Sequence, residues 1–178
     1  MKFLKTKFEG LFIIESKSYL DNRGIFRVVF NKLNFKSSLG HDIEFCQDNQ
    51  VFSSKNVLRG LHFQADQHSQ SKLVYVSSGS ILDIAVDLRK NSKTYGKYFS
   101  YNLSAENSKA LFIPPGFAHG YLSLSDKTCV NYKVDNYYNI NSERHISFDD
   151  KFLKINWGIP KDEIIVSEKD LRSSKFKW

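Results

Sequence analysis

Between Val57 and Gly79 the chain reads VLRGLHFQADQHSQSKLVYVSSG, and its polar members are the ones with chemistry to offer. Leu58, Leu61 and Phe63 are apolar while Arg59, His62 and Gln64 are not, and LVYV after Lys72 has the make-up of a buried strand closed by a Ser-Ser-Gly turn. Strands of this kind point Arg59, His62 and Lys72 into one cavity. An imidazole titrates near neutral pH and suits proton transfer, a guanidinium offers a planar fork to a pyrophosphate or sugar oxygen, and an ammonium can stand beside a developing negative charge.

Other candidates lie on either side. Gln47 and Asn49 share one face of IEFCQDNQVFSS by the two-residue strand period. ILDIAVDL is apolar enough to be buried on both faces except at Asp83 and Asp87; Asp83 reads either as a counter-ion to Lys72 or as an ordinary exposed strand aspartate. His119 stands in IPPGFAHGYLSL, where prolines and glycine shape a tight corner, so it lines a pocket or satisfies backbone groups there. CVNYKVDNYYN supplies Tyr132, Tyr137 and Tyr138.

The elements that must position these groups are short. Residues 1–20 alternate enough for one or two strands, and Asp21-Asn22-Arg23-Gly24 signals a turn into the strand IFRVVF. KLNFKSSLG forms a short helix ended by Gly40. After ILDIAVDL come the loop KNSKTYGK, the strand YFSYNLS and the turn SAENSKA, and the closing KDEIIVSEKDLRSS reads as a loop and short helix packed back onto the strands. Many short strands between turn signals, with little helix, give an all-β sandwich or barrel.

Composition narrows the function. A chain of 178 residues, 41% of them apolar, has room for one domain spanning residues 1–178. The formal charge of +7 suits either a solvated basic surface or an anion-attracting mouth, because the lysines are scattered among acids. No nucleic-acid motif or basic helix appears, and no apolar run approaches the length of a membrane span. MKFLKTKFEGLFII is broken by Lys5, Lys7 and Glu9 and reads as a first strand rather than a secretion signal. Cys46 and Cys129, far apart in strand-like contexts, are expected to be buried free thiols in the cytoplasm.

Taken together, LRGLHFQ, QSKLV, DIAVDLR, LSAEN, IPPGFAHGYLSLSD and VSEKD resemble the dTDP-4-dehydrorhamnose 3,5-epimerase family over nearly the whole chain. The resemblance implies a cupin-like jelly-roll barrel, a homodimer without metal or other cofactor, and a nucleotide-diphosphate-linked 4-keto-6-deoxy sugar as substrate. Epimerisation beside a ketone needs a base, a stabiliser for the enolate, an acid on the opposite face and a dry site. The resemblance gives these parts to His62 as base, Asp170 of VSEKD as its partner, Lys72 facing the C4 oxygen and Tyr132 as the opposite acid. It places Arg23 and Phe26 across a dimer interface and Gln47 and Asn49 along the ligand groove; beside it Tyr138 reads as another groove wall, His119 as lining the sugar pocket, and Arg59 as binding a pyrophosphate or sugar oxygen or forming a structural ion pair. The first cupin signature ends in an acidic metal ligand seven positions before a glycine; counted back from Gly79, that place is Lys72, which cannot ligate a metal. Asp66, His68 and His119 remain as a weak alternative set.

Four departures bear on the nucleotide. Val28 stands where the family has glutamate, Val51 where it has serine, Tyr75 where it has arginine, and Asp66-Gln67 replaces a proline pair. Val28, Val51 and Tyr75 leave a GDP-linked hexose or heptose as an alternative substrate. A sugar 3,4-ketoisomerase and a non-catalytic sugar-binding cupin are rival readings; the first lacks the SEKD ending and the Tyr132 position, and the second would not need Lys72, His62 and Asp170 together.

Overall fold

In the computed structural model, which describes residues 1–172, the regular secondary structure is mostly strand. They are β1 (Lys2–Lys5), β2 (Phe12–Glu15), β3 (Ser18–Asp21), β4 (Gly24–Arg27), β5 (Gln47–Ser53), β6 (Val57–Gln64) and β7 (Lys72–Ser78). After these come β8 (Ser80–Asp87), β9 (Tyr98–Ser104), β10 (Lys109–Ile113), β11 (Phe117–Ser123), β12 (Thr128–Val134), β13 (Glu143–His145) and β14 (Ile165–Val166). The α-helices are α1 (Lys32–Leu39) and α2 (Glu168–Leu171). Residues 1–20 thus give three strands, not one or two, because β3 turns through Asp21–Gly24 to pair with β4 as a separate hairpin. The expected strand IFRVVF is ordered as strand only up to Arg27. Ser173 and Ser174, the end of the expected closing segment, lie outside the described residues.

Two six-member sheets make the body: β1-β2-β10-β7-β12-β5 and β13-β6-β11-β8-β9, with β14 added in parallel beside β6. This is an all-β jelly roll of the cupin type. The two-residue period sorts side chains into layers. Val74, Val76, Ile81, Ala85, Leu111, Phe117, Tyr121 and Val130 meet between the sheets. Leu73, Ala110 and Phe112 point outward from the first sheet onto Phe35 of α1, and Leu58, Leu61, Ile84, Ala118 and Leu122 point outward from the second onto Ile146, Phe148, Leu153 and Trp157. Fully burying each of the larger apolar side chains contributes about 1.5–3 kcal/mol, so both outer clusters hold their coverings firmly. Helix α1 is capped by the Asn31 side chain, which accepts from the Asn34 amide, and ends at Gly40, whose left-handed φ of 80° favours glycine.

One irregularity decides what the inner face carries. Strict alternation would send Arg59 and His62 to opposite faces, since three positions separate them. Across the β6–β11 pairing, however, Arg59 faces Tyr121 and His62 faces His119, so three steps on β6 match two on β11. The extra residue is a β-bulge. Gly60 and Gly120 pass so closely there that a Cβ on Gly60 would come within 2.5 Å of the Gly120 Cα, and Gly60 has φ of 120°. No side chain fits at either position, and the bulge brings both Arg59 and His62 to the face that lines the cavity.

Asp87, expected at the surface of β8, and Asp83, read as either a counter-ion to Lys72 or an exposed strand aspartate, are both fully buried. Because β8 is covered on both faces, any charge on it must find a partner inside. Asp87 accepts from Arg89, Ser92 and Thr94, and these bonds outweigh burial to hold its pKa near 2. Cys129 is buried as expected, but Cys46 is exposed, since it precedes the edge strand β5. Among the described residues no helix is long and apolar enough to cross a membrane.

Candidate active site

At one end of the space between the sheets lies a cavity of about 270 Å³. The first sheet supplies Val51, Lys72 and Tyr132, the second Arg59, His62, His119 and Tyr121, and the α2 segment Ser167, Lys169 and Asp170. His62 and Tyr132 therefore face the cavity from opposite walls.

Asp170 reaches its place through a helix cap. The Ser167 hydroxyl accepts from the Asp170 amide at 3.2 Å and opens α2, which turns the carboxylate inward. His62 Nε2 donates to Asp170 Oδ1 at 2.5 Å, and the Gly60 amide, freed from the ladder by the bulge, reaches Asp170 Oδ2 at 3.5 Å. Burial pushes the Asp170 carboxyl up, yet the His62 bond and charge and the Gly60 and Ser167 contacts outweigh it and hold the pKa below the usual aspartate value. Asp170 stays ionised. His62 Nδ1 has no hydrogen-bond partner among the described residues and is the nitrogen open to a ligand.

Lys72 is partly buried, and desolvation lowers its pKa to about 8 against the opposing pull of Asp83 and Glu143. Asp83 is neither exposed nor in an ion pair with Lys72; its Oδ1 accepts from His119 Nε2 at 2.5 Å, and Oδ2 has no partner. The cross-strand register explains this: Asp83 and His119 lie on adjacent strands with their side chains inward, so the histidine meets the carboxylate first. Burial also raises the Tyr132 phenol, against the opposing charge of Arg59, so at neutral pH it carries its proton. Arg59 is steadied by a bond from Nε to the Ser53 hydroxyl at 3.2 Å. Burial pushes Tyr121 up to about 12.

Tyr138 lies in an adjoining recess with His62, Lys72 and Tyr132, its hydroxyl donating to Glu143 at 3.0 Å. Gln47 and Asn49 are bonded to each other on β5, outside the cavity lining. Arg23 and Phe26 sit on the β3–β4 hairpin, where Arg23 pairs with Asp21 at 2.6 Å and Phe26 is exposed. Of the four departures only Val51 lines the cavity; Tyr75 packs in the outer cluster with Phe35, Val28 is exposed, and Asp66-Gln67 begins a single helical turn.

His145 was not singled out by sequence reasoning. Its ring lies 4.7 Å from that of His62, edge to face, and its Nδ1 is 3.8 Å from Asp170 Oδ1. The signal was present in SERHIS, where Glu143 and His145 share a face by the strand period, but the polar context hid it.

The donor set does not fit the barrel metal of cupins. Lys72 fills the acidic ligand position, and His119 is committed to Asp83. Nor do Asp66 and His68 join His119: His68 bonds Asn139 and Ser142 instead.

Fold and cavity define the class: a jelly-roll protein with an acid–base site between its sheets and a lysine where cupins bind metal. The chain belongs to the dTDP-4-dehydrorhamnose 3,5-epimerase family, whose model matches residues 5–177. It is an isomerase-class enzyme. A dTDP-4-dehydrorhamnose 3,5-epimerase of Methanothermobacter thermautotrophicus is 47% identical over 95% of this chain and 91% of its own length. The crystal structure of an epimerase of the same name from Elizabethkingia anophelis superposes with a TM-score of 0.94 at 44% identity, covering 99% of this chain and 96% of that one. A dTDP-6-deoxy-D-glucose-3,5-epimerase from Legionella pneumophila, solved in complex with dTDP-4-keto-L-rhamnose, gives 0.93 at 40% identity, covering 98% and 92%.

Proposed function

We propose that this protein inverts C3 and C5 of a dTDP-linked 4-keto-6-deoxy sugar, feeding surface polysaccharide synthesis. The observation that carries the reading is the placement of His62 and Tyr132 on opposite walls of one cavity, with Lys72 between the sheets beside them. Inversion requires a proton to leave one face of a carbon and return to the other, which a single group on one wall cannot achieve. His62 Nδ1 removes the proton next to the C4 ketone, and Asp170 fixes the ring and supports the imidazolium that forms. Lys72 faces the C4 oxygen and stabilises the enolate. Tyr132, held as a phenol by burial, returns a proton from the other side. C3 and C5 flank the same carbonyl, so one constellation serves both.

Arg59 and His119 bind the sugar and pyrophosphate, with Tyr138 as an outer wall. The hairpin β3–β4, with Tyr19, Leu20, Ile25 and Phe26 exposed, carries Arg23 and Phe26 to the site of a second copy in a homodimer, and Gln47 and Asn49 extend the groove. Two free cysteines suit a reducing cytoplasm. The dTDP reading is preferred to a GDP sugar because Tyr75 and Asp66-Gln67 lie away from the cavity and the similar Legionella pneumophila epimerase was solved with dTDP-4-keto-L-rhamnose. Incubation of a dTDP-linked and a GDP-linked 4-keto-6-deoxy sugar in deuterated water tests it. Deuterium at C3 and C5 of the dTDP sugar, with inversion, is expected; exchange confined to the GDP sugar would reverse the assignment.

A further inference from the structure

His145 brings a third ligand-grade side chain to the His62–Asp170 pair. One ligand atom each from His62, His145 and Asp170 lies within 4.8 Å of the others. They come from β6, β13 and the first turn of α2, and each is held separately. His145 faces His62 directly in the β6–β13 register, and Asp170 is fixed by the Ser167 cap. A second observation marks the place as a ligand site: His145 Nδ1 is buried and has no hydrogen-bond partner, although it lies 3.8 Å from Asp170 Oδ1. Leaving a buried polar atom unpaired is costly, and a bound ion would supply the missing partner.

Two imidazoles and one carboxylate, with the remaining positions open to a cavity, form a donor set suited to zinc. Behind it Glu143 Oε2 lies 3.5 Å from His145 Nε2, the carboxylate–histidine arrangement that orients a ligating ring. We propose that His62, His145 and Asp170 form an inhibitory site for a zinc-class divalent cation. The ion takes the place of the proton shared by His62 Nε2 and Asp170 Oδ1 and opens that 2.5 Å bond to the longer ligand separation a metal needs. The ring then cannot accept a substrate proton. This differs from the barrel metal of cupins, since it uses neither the Lys72 position nor His119. Lys72 lines the same cavity, and its charge weakens the binding of a cation there.

The inhibitory half of the proposal rests on His62 being the base; the binding half does not. Tag-free full-length protein is dialysed against zinc, and cobalt(II) absorption is recorded in parallel. One ion per chain is expected, with a visible band of nitrogen-ligated, low-coordinate cobalt. His145→Ala and His145→Asn should each weaken binding at least tenfold, whereas replacement of the exposed His41 by Ala should not. Zinc should stop epimerisation over the concentrations at which it binds, a chelator should restore it, and the half-inhibiting concentration should rise in the His145 variants whatever their zinc-free rates. Absence of stoichiometric binding, or equal binding in both His145 variants, overturns the site. Saturating zinc that leaves turnover intact overturns the inhibition. A zinc-free protein that epimerises nothing refutes the functional reading and leaves the binding arm to be judged alone.

Discussion

Two histidine–aspartate pairs face the same cavity with the same 2.5 Å contact, and they are built for different tasks. His119 and Asp83 sit on adjacent strands, 8% and 0% exposed, sealed by the sheet around them. His62 is 33% exposed while its Asp170, 5% exposed, arrives from a helix 108 residues further along. The hydrogen bond is common to both; what differs is whether the second ring nitrogen has somewhere to put a proton. On the proposed mechanism the carboxylate of the open pair orients the reacting base, and that of the closed pair anchors a wall.

The largest test of that contrast is His62→Asn, which should abolish both deuterium exchange and inversion, while His119→Asn keeps measurable exchange. Equal silence from the two variants would erase the distinction. Asp170→Asn should cost turnover about a hundred- to ten-thousand-fold, the usual span for positioned acid–base groups, with Asp83→Asn losing less. Tyr132→Phe sharpens the comparison from the opposite wall: His62 and Lys72 remain, so protons should exchange faster than the centre inverts. If exchange and inversion fall together, the returning acid is another group.

A smaller effect is expected from pH. Burial depresses Lys72 to about 8, so the ammonium is lost as pH rises through that value, and kcat/KM should fall on an alkaline limb near pH 8. Lys72→Arg, charged throughout, should lower the rate but remove the limb. The smallest expected change is in stability: His119→Asn strands a fully buried carboxylate and should cost about 1–3 kcal/mol in denaturant unfolding, with His62→Asn closer to wild type.

How far the sequence announced all this varies by residue. The polar residues among the apolar ones of LRGLHFQ and LVYV marked Arg59, His62 and Lys72 for one cavity, although strict alternation alone would have parted Arg59 from His62, and the six motifs matched the family shown by comparison. The bulge was legible only as a glycine inside a strand, a hint without a direction. Asp87 was misplaced because its exposure was judged from residue type, and Asp83 because Lys72 was the only inward partner considered; in a strand as apolar as ILDIAVDL the stronger inference is that both are inside and paired. His145 escaped because its importance lies in a pairing with β6, and β-pairing across 83 residues leaves no local mark.

That same wiring sets an order in time. Strand β6 is bordered by β11 on one side and, on the other, by β13, Ile146 and β14, so its neighbours are all made of chain far downstream. Contacts so distant in sequence are slow to form, because the loop between them must be closed before they repay its entropy. On refolding, the sheets can gather while Asp170 is still unattached. Regain of turnover should therefore trail regain of strand signal, and catalysis becomes a clock for the arrival of the last helix.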